Sequence, residues 1–259
     1  MIDTSRMSFL GRGLERLHSS TISVVGCGGG GSHIAQQLAH LAIGTLVLID
    51  GDRLDASNVN RVVGASYNDV GELKADLLKR RFSNLGGEIV AVPSRAELPE
   101  GRRWIERSDL VLGAVDGARA RNNIEYLCRN ALVPYIDIGL KIVVDEDHRA
   151  TAIGGQVFTS LVGGPCMQCA GIITEHALAA DREEYVAGAP DQQVISMNGI
   201  LASQAVTAAI ALLTNYAPGF AVPPLIRYDG FEHSLKPDDH VPSTCPHYSL
   251  EDAGWNVVL

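Results

Sequence analysis

The residues best suited to chemistry begin with a glycine-rich turn near the N-terminus. Residues 26–32 read GCGGGGS and separate an apolar run from an amphipathic segment. Glycines let a backbone turn sharply and approach a phosphate, and the first N–H groups of a helix attract an anion. Asp50 ends the next apolar run, where a carboxylate can accept hydrogen bonds from ribose hydroxyls. The pair indicates nucleotide binding, but it is equally typical of a domain that binds NAD or FAD.

The polar segment after Asp50 favours a different nucleotide. In a plain dehydrogenase the second strand leads promptly into another helix, whereas here residues 51–61 form a long excursion that ends in Asn-x-Asn-Arg at Asn58 and Arg61, with Lys74 further on. An amide and two cations suit a triphosphate better than a neutral nicotinamide, because AMP transfer requires positively charged groups beside the departing pyrophosphate. Taken singly, Arg61 and Lys74 would more often be solvated surface charges.

Asp116 follows a third apolar run, at residues 109–115. A carboxylate beside phosphate oxygens is a common way of holding Mg²⁺. The alternative interpretation is an N-cap for a helix at 118–132, and the two roles are compatible.

A second constellation consists of cysteines and a histidine. Cys166 and Cys169 have the C-x₂-C spacing that places two sulfurs on one ion, and Cys245 and His247 offer two more ligands near the C-terminus. Structural Zn²⁺ takes four such tetrahedral ligands, so we predict a zinc knuckle. The alternative is a pair of reduced thiols with an unrelated tail cysteine. The remaining two thiols, Cys27 and Cys128, are predicted to be packed in the interior.

The elements that must position these residues alternate between strand and helix. Strands are predicted at 21–26 and 45–50 with a helix at 32–43 between them, which is a βαβ unit. The alternation continues to about residue 139. An antiparallel strand or hairpin is then expected at 150–161, a polar and mobile crossover at 175–193, a small-residue helix at 195–213, and a strand pair with a loop-rich tail at the end. The predicted fold is α/β, a Rossmann-like doubly wound sheet whose parallel N-terminal part is followed by antiparallel strands.

Composition limits the protein class. The 259 residues, 46% hydrophobic and 20% charged, fit one domain with an arm at 1–20, a nucleotide-binding half at 21–140 and an antiparallel half at 141–259 that includes a crossover at 170–194. The net charge of −9 argues against a nucleic-acid partner. The longest apolar stretch, at 205–213, is shorter than the roughly 20 residues of a membrane span. Five cysteines without an export signal favour a cytoplasmic location.

In the order and spacing of these motifs the sequence resembles the ThiF/MoeB/HesA family and the adenylation domains of ubiquitin-activating enzymes, over roughly residues 6–215. The matching features are the glycine turn, Asp50 and Asp52, the SNVNR segment at 57–61, Lys74 and Asp116.

The resemblance implies a role for each residue. Asp50 would bind ribose, with Asp52 beside it. The backbone at Gly26, Gly28 and Gly29 would lie under the nucleotide. The phosphates would contact Asn58, Arg61 and Lys74, and Mg²⁺ would contact Asp116. Family members also use an N-terminal arginine that often reaches the ATP of the partner subunit. Arg6 is the first candidate for it here, and Arg12 the second.

In the implied reaction a carboxylate reacts with ATP·Mg²⁺ to give acyl-AMP and pyrophosphate. The implied substrate is the C-terminal glycine of a ubiquitin-like protein, acted on by a homodimer that passes the product to an acceptor protein. Residues 170–196 contain no cysteine, which favours adenylation without a thioester step. The alternatives are a tRNA-borne, peptide or small-molecule carboxylate, an NAD-binding oxidoreductase, and a non-catalytic scaffold subunit; retention of Arg61, Lys74 and Asp116 speaks against the last.

Overall fold

The computed structural model describes residues 3–187 and 192–248. Its strands, in chain order, are β1 (Thr21–Val25), β2 (Thr45–Ile49), β3 (Glu88–Val92), β4 (Leu110–Gly113), β5 (Tyr135–Val144), β6 (Ala150–Ser160), β7 (Leu225–Asp229) and β8 (Ser234–Pro237). They form a sheet in the order β3-β2-β1-β4-β5-β6-β7-β8. The first five strands of that order are parallel, and the remaining pairings are antiparallel. The predicted change from a parallel to an antiparallel sheet is therefore confirmed.

The helices cover both faces of this sheet. In chain order they are α1 (Gly13–Ser19), α2 (Gly29–His40), α3 (Lys74–Phe82), α4 (Pro99–Ile105), α5 (Ala118–Asn130), α6 (Glu175–Ala187) and α7 (Ile195–Thr214), together with 3₁₀ helices at Ser5–Leu10, Ala56–Asn58 and Tyr67–Asp69. One apolar layer joins the sheet to α2, α3 and α7 through residues such as Leu38, Leu77 and Leu201. The other joins it to α4, α5 and the cysteine turn through Ile105, Ile124 and Met167. Both faces of the parallel strands are thus buried, as βαβ connections require.

Helices α2 and α6 differ from the sequence-based prediction. Helix α2 begins at Gly29, three residues before the predicted start, because the glycines themselves form its first turn. The segment predicted to be a mobile crossover at 175–193 is helical as α6 from Glu175 to Ala187, and its residues 188–191 lie outside the described chain. That segment lacks a clear apolar period, but it is rich in Ala and Glu, which have high intrinsic helix propensity.

Helix α7 is long and apolar enough, by length and composition alone, to cross a membrane. The same properties are typical of a core helix. Its Leu201, Ala202, Ala205 and Ala209 are buried, and it packs against α2 and the strands β5 and β6. This packing is that of a helix inside a folded domain.

Candidate functional site

The site lies where the order of the sheet reverses. Strand β1 has β2 on one side and β4 on the other, so the loops that leave β1 and β4 run to opposite faces and open a crevice at the strands' carboxyl ends. Ligands of doubly wound folds bind at such a switch point. Gly26, Asp50 and Ala114 begin the three loops at this edge.

The glycine turn is shaped by close backbone packing. Gly26 has a φ of +88°, and a Cβ there would lie 2.6 Å from the carbonyl oxygen of Ala114. A Cβ on Gly31 would overlap the carbonyl oxygen of Gly26, whereas a Cβ on Gly28 would meet no protein atom within 4 Å. Gly28 therefore faces open space at the crevice, and Gly26 and Gly31 are required by the fold.

This difference predicts opposite outcomes for two matched substitutions. Gly31→Ala should prevent correct folding, because its methyl group meets backbone that cannot move aside. Gly28→Ala should fold with a melting temperature close to that of the unmodified protein, yet bind ATP at least about 10-fold more weakly, because the methyl group enters the space above the turn. Thermal unfolding and ATP titration measure both. Equal behaviour of the two variants would contradict this account of the turn.

Asp50 ties the glycine turn to the end of β2. Its carboxylate accepts hydrogen bonds from the backbone N–H of Cys27 at 2.6 Å and of Asp52 at 2.7 Å. Burial raises the pKa of Asp50, and the Lys74 ammonium and the two N–H donors oppose that rise. Lys74, only 12% exposed, donates to Asp52 at 3.0 Å. The carboxylate predicted to bind ribose is thus held rigidly at the crevice.

The predicted phosphate-binding side chains converge on one space, which we call the cation cavity. It is lined by Gly28, Gly29, Gly30, Asn58, Arg61, Val62, Lys74, Ala114, Val115, Asp116, Arg121, Ile138, Leu140, Gln193, Asn198 and Leu201. An adjoining space, the Asp50 cavity, shares Gly28, Lys74 and Asp116 with it and adds Gly26, Asp50 and Asp52. All the predicted nucleotide ligands except the arm arginines therefore line two connected cavities.

Arg61 is positioned by a short polar turn. The Asp55 carboxylate accepts from the N–H of Ser57 at 2.8 Å and starts the 3₁₀ helix that carries Asn58. Arg61 Nη1 donates to the carbonyl oxygen of Ser57 at 2.6 Å. The arginine stem passes over the glycine turn, with its Cδ 3.4 Å from the place of a Cβ on Gly29. The guanidinium is thus held over the crevice.

Asp116 lies exposed at the mouth of both cavities. Its carboxylate accepts from Gln193 Nε2 at 3.4 Å. The alternative role as N-cap of α5 is wrong, because Gly117 occupies the cap position without a side-chain hydrogen bond. Asp181 of α6 instead accepts from the N–H of Arg119 at 3.0 Å. The Asp116 carboxylate is accordingly suited to a divalent cation.

Sequence reasoning missed three polar residues of the cation cavity: Arg121, Gln193 and Asn198. Arg121 forms a buried ion pair with Asp137, whose pKa is raised to about 6 by burial. Asn198 is buried, and its Nδ2 lies 2.6 Å from the place of a Cβ on Gly29. The only signal for Arg121 was its position one turn into the helix that follows Asp116.

The arm arginines stay apart from these cavities. Arg6 is exposed in the 3₁₀ helix Ser5–Leu10, and Arg12 is exposed just before α1. Neither is among the residues that line the cavities within the described chain. A role for Arg6 at a partner's nucleotide site remains a prediction.

The cysteine and histidine ligands come together as a four-membered cage. The ligand atoms of Cys166, Cys169, Cys245 and His247 all lie within 4.8 Å of one another. Cys169 Sγ is 3.6 Å from Cys166 Sγ, 3.7 Å from Cys245 Sγ and 3.4 Å from His247 Nδ1. Tetrahedral Zn²⁺ with bonds of about 2.3 Å to sulfur places two sulfurs about 3.8 Å apart. The donor set and its spacing therefore fit Zn²⁺.

Glu125 and Arg129, a buried ion pair on α5, contact the chain segments that form this cage. Glu125 accepts from the N–H of Met167 at 3.1 Å and from Ser160 Oγ at 2.7 Å. Arg129 donates to the carbonyl oxygen of Pro165 and lies 4.8 Å from the ring centroid of Tyr248. Helix α5 thus holds both sides of the cage while its first turn borders the cation cavity.

The other two thiols are buried, as predicted. Cys27 and Cys128 are both 0% exposed. Burial raises the pKa of each thiol well above its usual value, and the Glu125 charge adds to the rise at Cys128. Neither is an accessible thiolate at neutral pH.

Comparison with known proteins agrees with this geometry. The sequence profile of the ThiF family matches residues 3–245. The molybdopterin-synthase adenylyltransferase of Escherichia coli (strain K12) is 29% identical over 209 residues, which are 79% of this chain and 77% of that enzyme. The SAMP-activating enzyme E1 of Haloferax volcanii is 31% identical over 160 residues, which are 61% of this chain and 55% of that enzyme.

A third relative is matched over a shorter segment. The tRNA threonylcarbamoyladenosine dehydratase of Bacillus subtilis (strain 168) is 43% identical over 80 residues, which are 31% of this chain and 32% of that enzyme. Among solved structures, E. coli MccB with ATP superposes with a TM-score of 0.70 at 20% identity, covering 92% of this chain and 68% of MccB. That likeness shows a shared fold.

Proposed function

The chain belongs to the ThiF family, and on that premise we propose that it transfers AMP from ATP to a carboxylate. The observation that carries the proposal is the convergence of the glycine turn, Arg61, Lys74 and Asp116 on one cavity. A triphosphate supplies anionic oxygens to both cations, whereas a nicotinamide ring supplies none. The E. coli relative that matches most of this chain is itself an adenylyltransferase by name.

The reaction requires no proton transfer. The substrate carboxylate is ionised at pH 7, and one of its oxygens attacks the α-phosphorus of ATP. A bond forms between that oxygen and phosphorus, the bond to the bridging oxygen breaks, and its electron pair leaves on pyrophosphate. Arg61 and Lys74 stabilise the charge that develops there, and Asp50 orients the nucleotide through its ribose.

Asp116 is the proposed ligand of Mg²⁺. When bound, the ion supplies positive charge to the phosphate oxygens. The exposed carboxylate at the mouth of both cavities suits that role.

The proposed substrate is the C-terminal glycine of a ubiquitin-like protein, activated by a homodimer in the cytoplasm. Two relatives support this class by name, one serving molybdopterin synthase and one activating SAMP. The dehydratase relative favours a tRNA-borne carboxylate instead, but its match is confined to 80 residues, and a net charge of −9 is unfavourable for RNA. Because Cys27 and Cys128 are buried, acyl-AMP is the proposed product, released to the nucleophile of an acceptor protein.

The test is isotope exchange from labelled pyrophosphate into ATP. It uses a set of ubiquitin-like proteins that end in Gly-Gly, each paired with a version lacking the last glycine. Exchange that depends on Mg²⁺ and on the intact terminus is expected with at least one protein. Exchange only with peptides or threonylcarbamoyladenosine-containing tRNA would overturn the substrate class, and no exchange with any carboxylate would overturn adenylation.

A further inference from the structure

We propose that Arg121 binds the reacting carboxyl group of the substrate where it meets the α-phosphate. This inference rests on the proposed adenylation and adds a residue to it. Arg121 is the fourth residue of α5, away from the loops that carry Asn58, Arg61 and Lys74.

One edge of the Arg121 guanidinium is fixed by the protein. Its Nη1 donates to the Asp137 carboxylate and, at 3.0 Å, to the carbonyl oxygen of Ile138. Asp137 is fully buried, and its other oxygen accepts from the hydroxyl of Tyr135 at 2.8 Å. This chain of hydrogen bonds holds the guanidinium in one orientation, so little freedom is lost when a ligand binds.

The other edge is available to a ligand. Within the described chain, no acceptor is hydrogen-bonded to Arg121 Nε or Nη2. The neighbouring strand residue is Gly139, and a Cβ there would lie 2.3 Å from Gln156 Nε2, 2.6 Å from Arg121 Nη1 and 3.0 Å from Arg121 Nη2. The absence of a side chain at Gly139 therefore makes room for the guanidinium beside the Gln156 amide.

Arg121 also stands at the junction of two spaces. Beside the cation cavity lies a second space, the α6 groove, lined on one side by Gly139, Lys141 and Gln156 and on the other by His176 and Asp181. Asp116, Arg121 and Leu140 line both spaces, and Arg121 is the only one of the three with positive charge. A substrate chain in the α6 groove would bring its terminus to this residue.

Charge explains why the junction needs a cation. An ionised carboxylate that approaches a triphosphate is repelled by it, and a planar guanidinium can donate to the carboxylate while the phosphate oxygens are held by Arg61 and Lys74. After the reaction the acyl oxygen remains beside the same donors. Arg121 should therefore recognise the acyl part of acyl-AMP and contribute little to the binding of AMP.

The test compares two ligands that need no partner protein, AMP and the acyl-AMP mimic 5′-O-[N-(acetylglycyl)sulfamoyl]adenosine. Arg121→Gln should weaken the mimic by at least about 10-fold, the scale of a lost charge-assisted hydrogen bond, with AMP affinity changed less than about 3-fold. Arg119→Gln, on the exposed side of α5, is the matched control and should change neither.

If loss of the Asp137 partner prevents Arg121→Gln from folding, Arg121→Lys carries the test. Lysine keeps a positive charge beside Asp137 but lacks the second terminal nitrogen of the guanidinium. Binding of the mimic should therefore again weaken while AMP affinity changes little. Equal weakening of both ligands, or of neither, would overturn the role of Arg121 while leaving adenylation intact. Failure of the unmodified protein to bind either ligand would instead overturn the proposed function.

Discussion

Arg61→Ala and Asp116→Ala are each expected to lower pyrophosphate exchange by about 100-fold or more, the scale of a lost transition-state donor. Arg61 lies over the glycine turn, where we propose that its charge stabilises the departing pyrophosphate. Asp116 is the carboxylate proposed to hold Mg²⁺. Neither residue supports the core, because among the described residues Arg61 forms hydrogen bonds only within its own turn and Asp116 only with Gln193. The melting temperature should therefore change little.

Two control variants separate this effect from a general change of charge. Arg53 is an exposed arginine of the same excursion, bonded to the carbonyl oxygen of Gly71, and Asp76 is exposed on α3. Arg53→Ala and Asp76→Ala should exchange pyrophosphate at nearly the unmodified rate. Arg61→Lys, which retains charge without the planar fork, should fall between Arg61→Ala and the unmodified protein. Near-normal exchange by both Arg61→Ala and Asp116→Ala would remove the basis of the assignment.

The second large expected effect is that loss of the metal exposes the C-terminal tail to protease. Protein purified without chelator should contain one Zn²⁺ per chain, and Cys245→Ser should abolish it, because three remaining ligands leave the tetrahedral site incomplete. The tail up to Tyr248 should then become more susceptible to protease, since the cage ties Cys245 and His247 to the Cys166–Cys169 turn. ATP affinity should change little.

Thr244→Ala is the matched control for the metal site, since Thr244 is the exposed neighbour of Cys245. It should retain zinc and a protected tail. Elemental analysis and limited proteolysis give both readouts. Absence of zinc from the unmodified protein would contradict the proposed site, as would an unchanged zinc content in Cys245→Ser.

Local sequence patterns predicted the parts of the fold that depend on local chemistry. Apolar runs with glycine or aspartate at their ends identified β1, β2 and β4, and these strand ends carry Gly26, Asp50 and Asp116. Ligand chemistry predicts that the C-x₂-C turn pairs with the distant Cys245 and His247, and the structure brings them together. Strand β5 extends beyond its predicted end at Gly139 because β6 pairs with it to Val144.

The rest depends on tertiary contacts that no local pattern records. Arg121 looks like an ordinary helix-surface arginine in sequence, and only the pairing of β4 with β5 brings Asp137 to it. Asn198 lies in a helix of small residues and becomes part of the site only because α7 packs against α2. Helix α6 was missed for another reason, since its propensity is high but its apolar period is weak.

The most direct test of the central claim is to determine which bond of ATP is broken. ATP labelled on the α-phosphate is incubated with Mg²⁺, the protein and one carboxylate substrate at a time: a ubiquitin-like protein ending in Gly-Gly, a peptide, or threonylcarbamoyladenosine-containing tRNA. The account predicts release of pyrophosphate and transfer of the α-label to one of these carboxylates, with Arg61→Ala greatly impaired in both. Release of inorganic phosphate with ADP, or no transfer of the α-label to any of them, would contradict it.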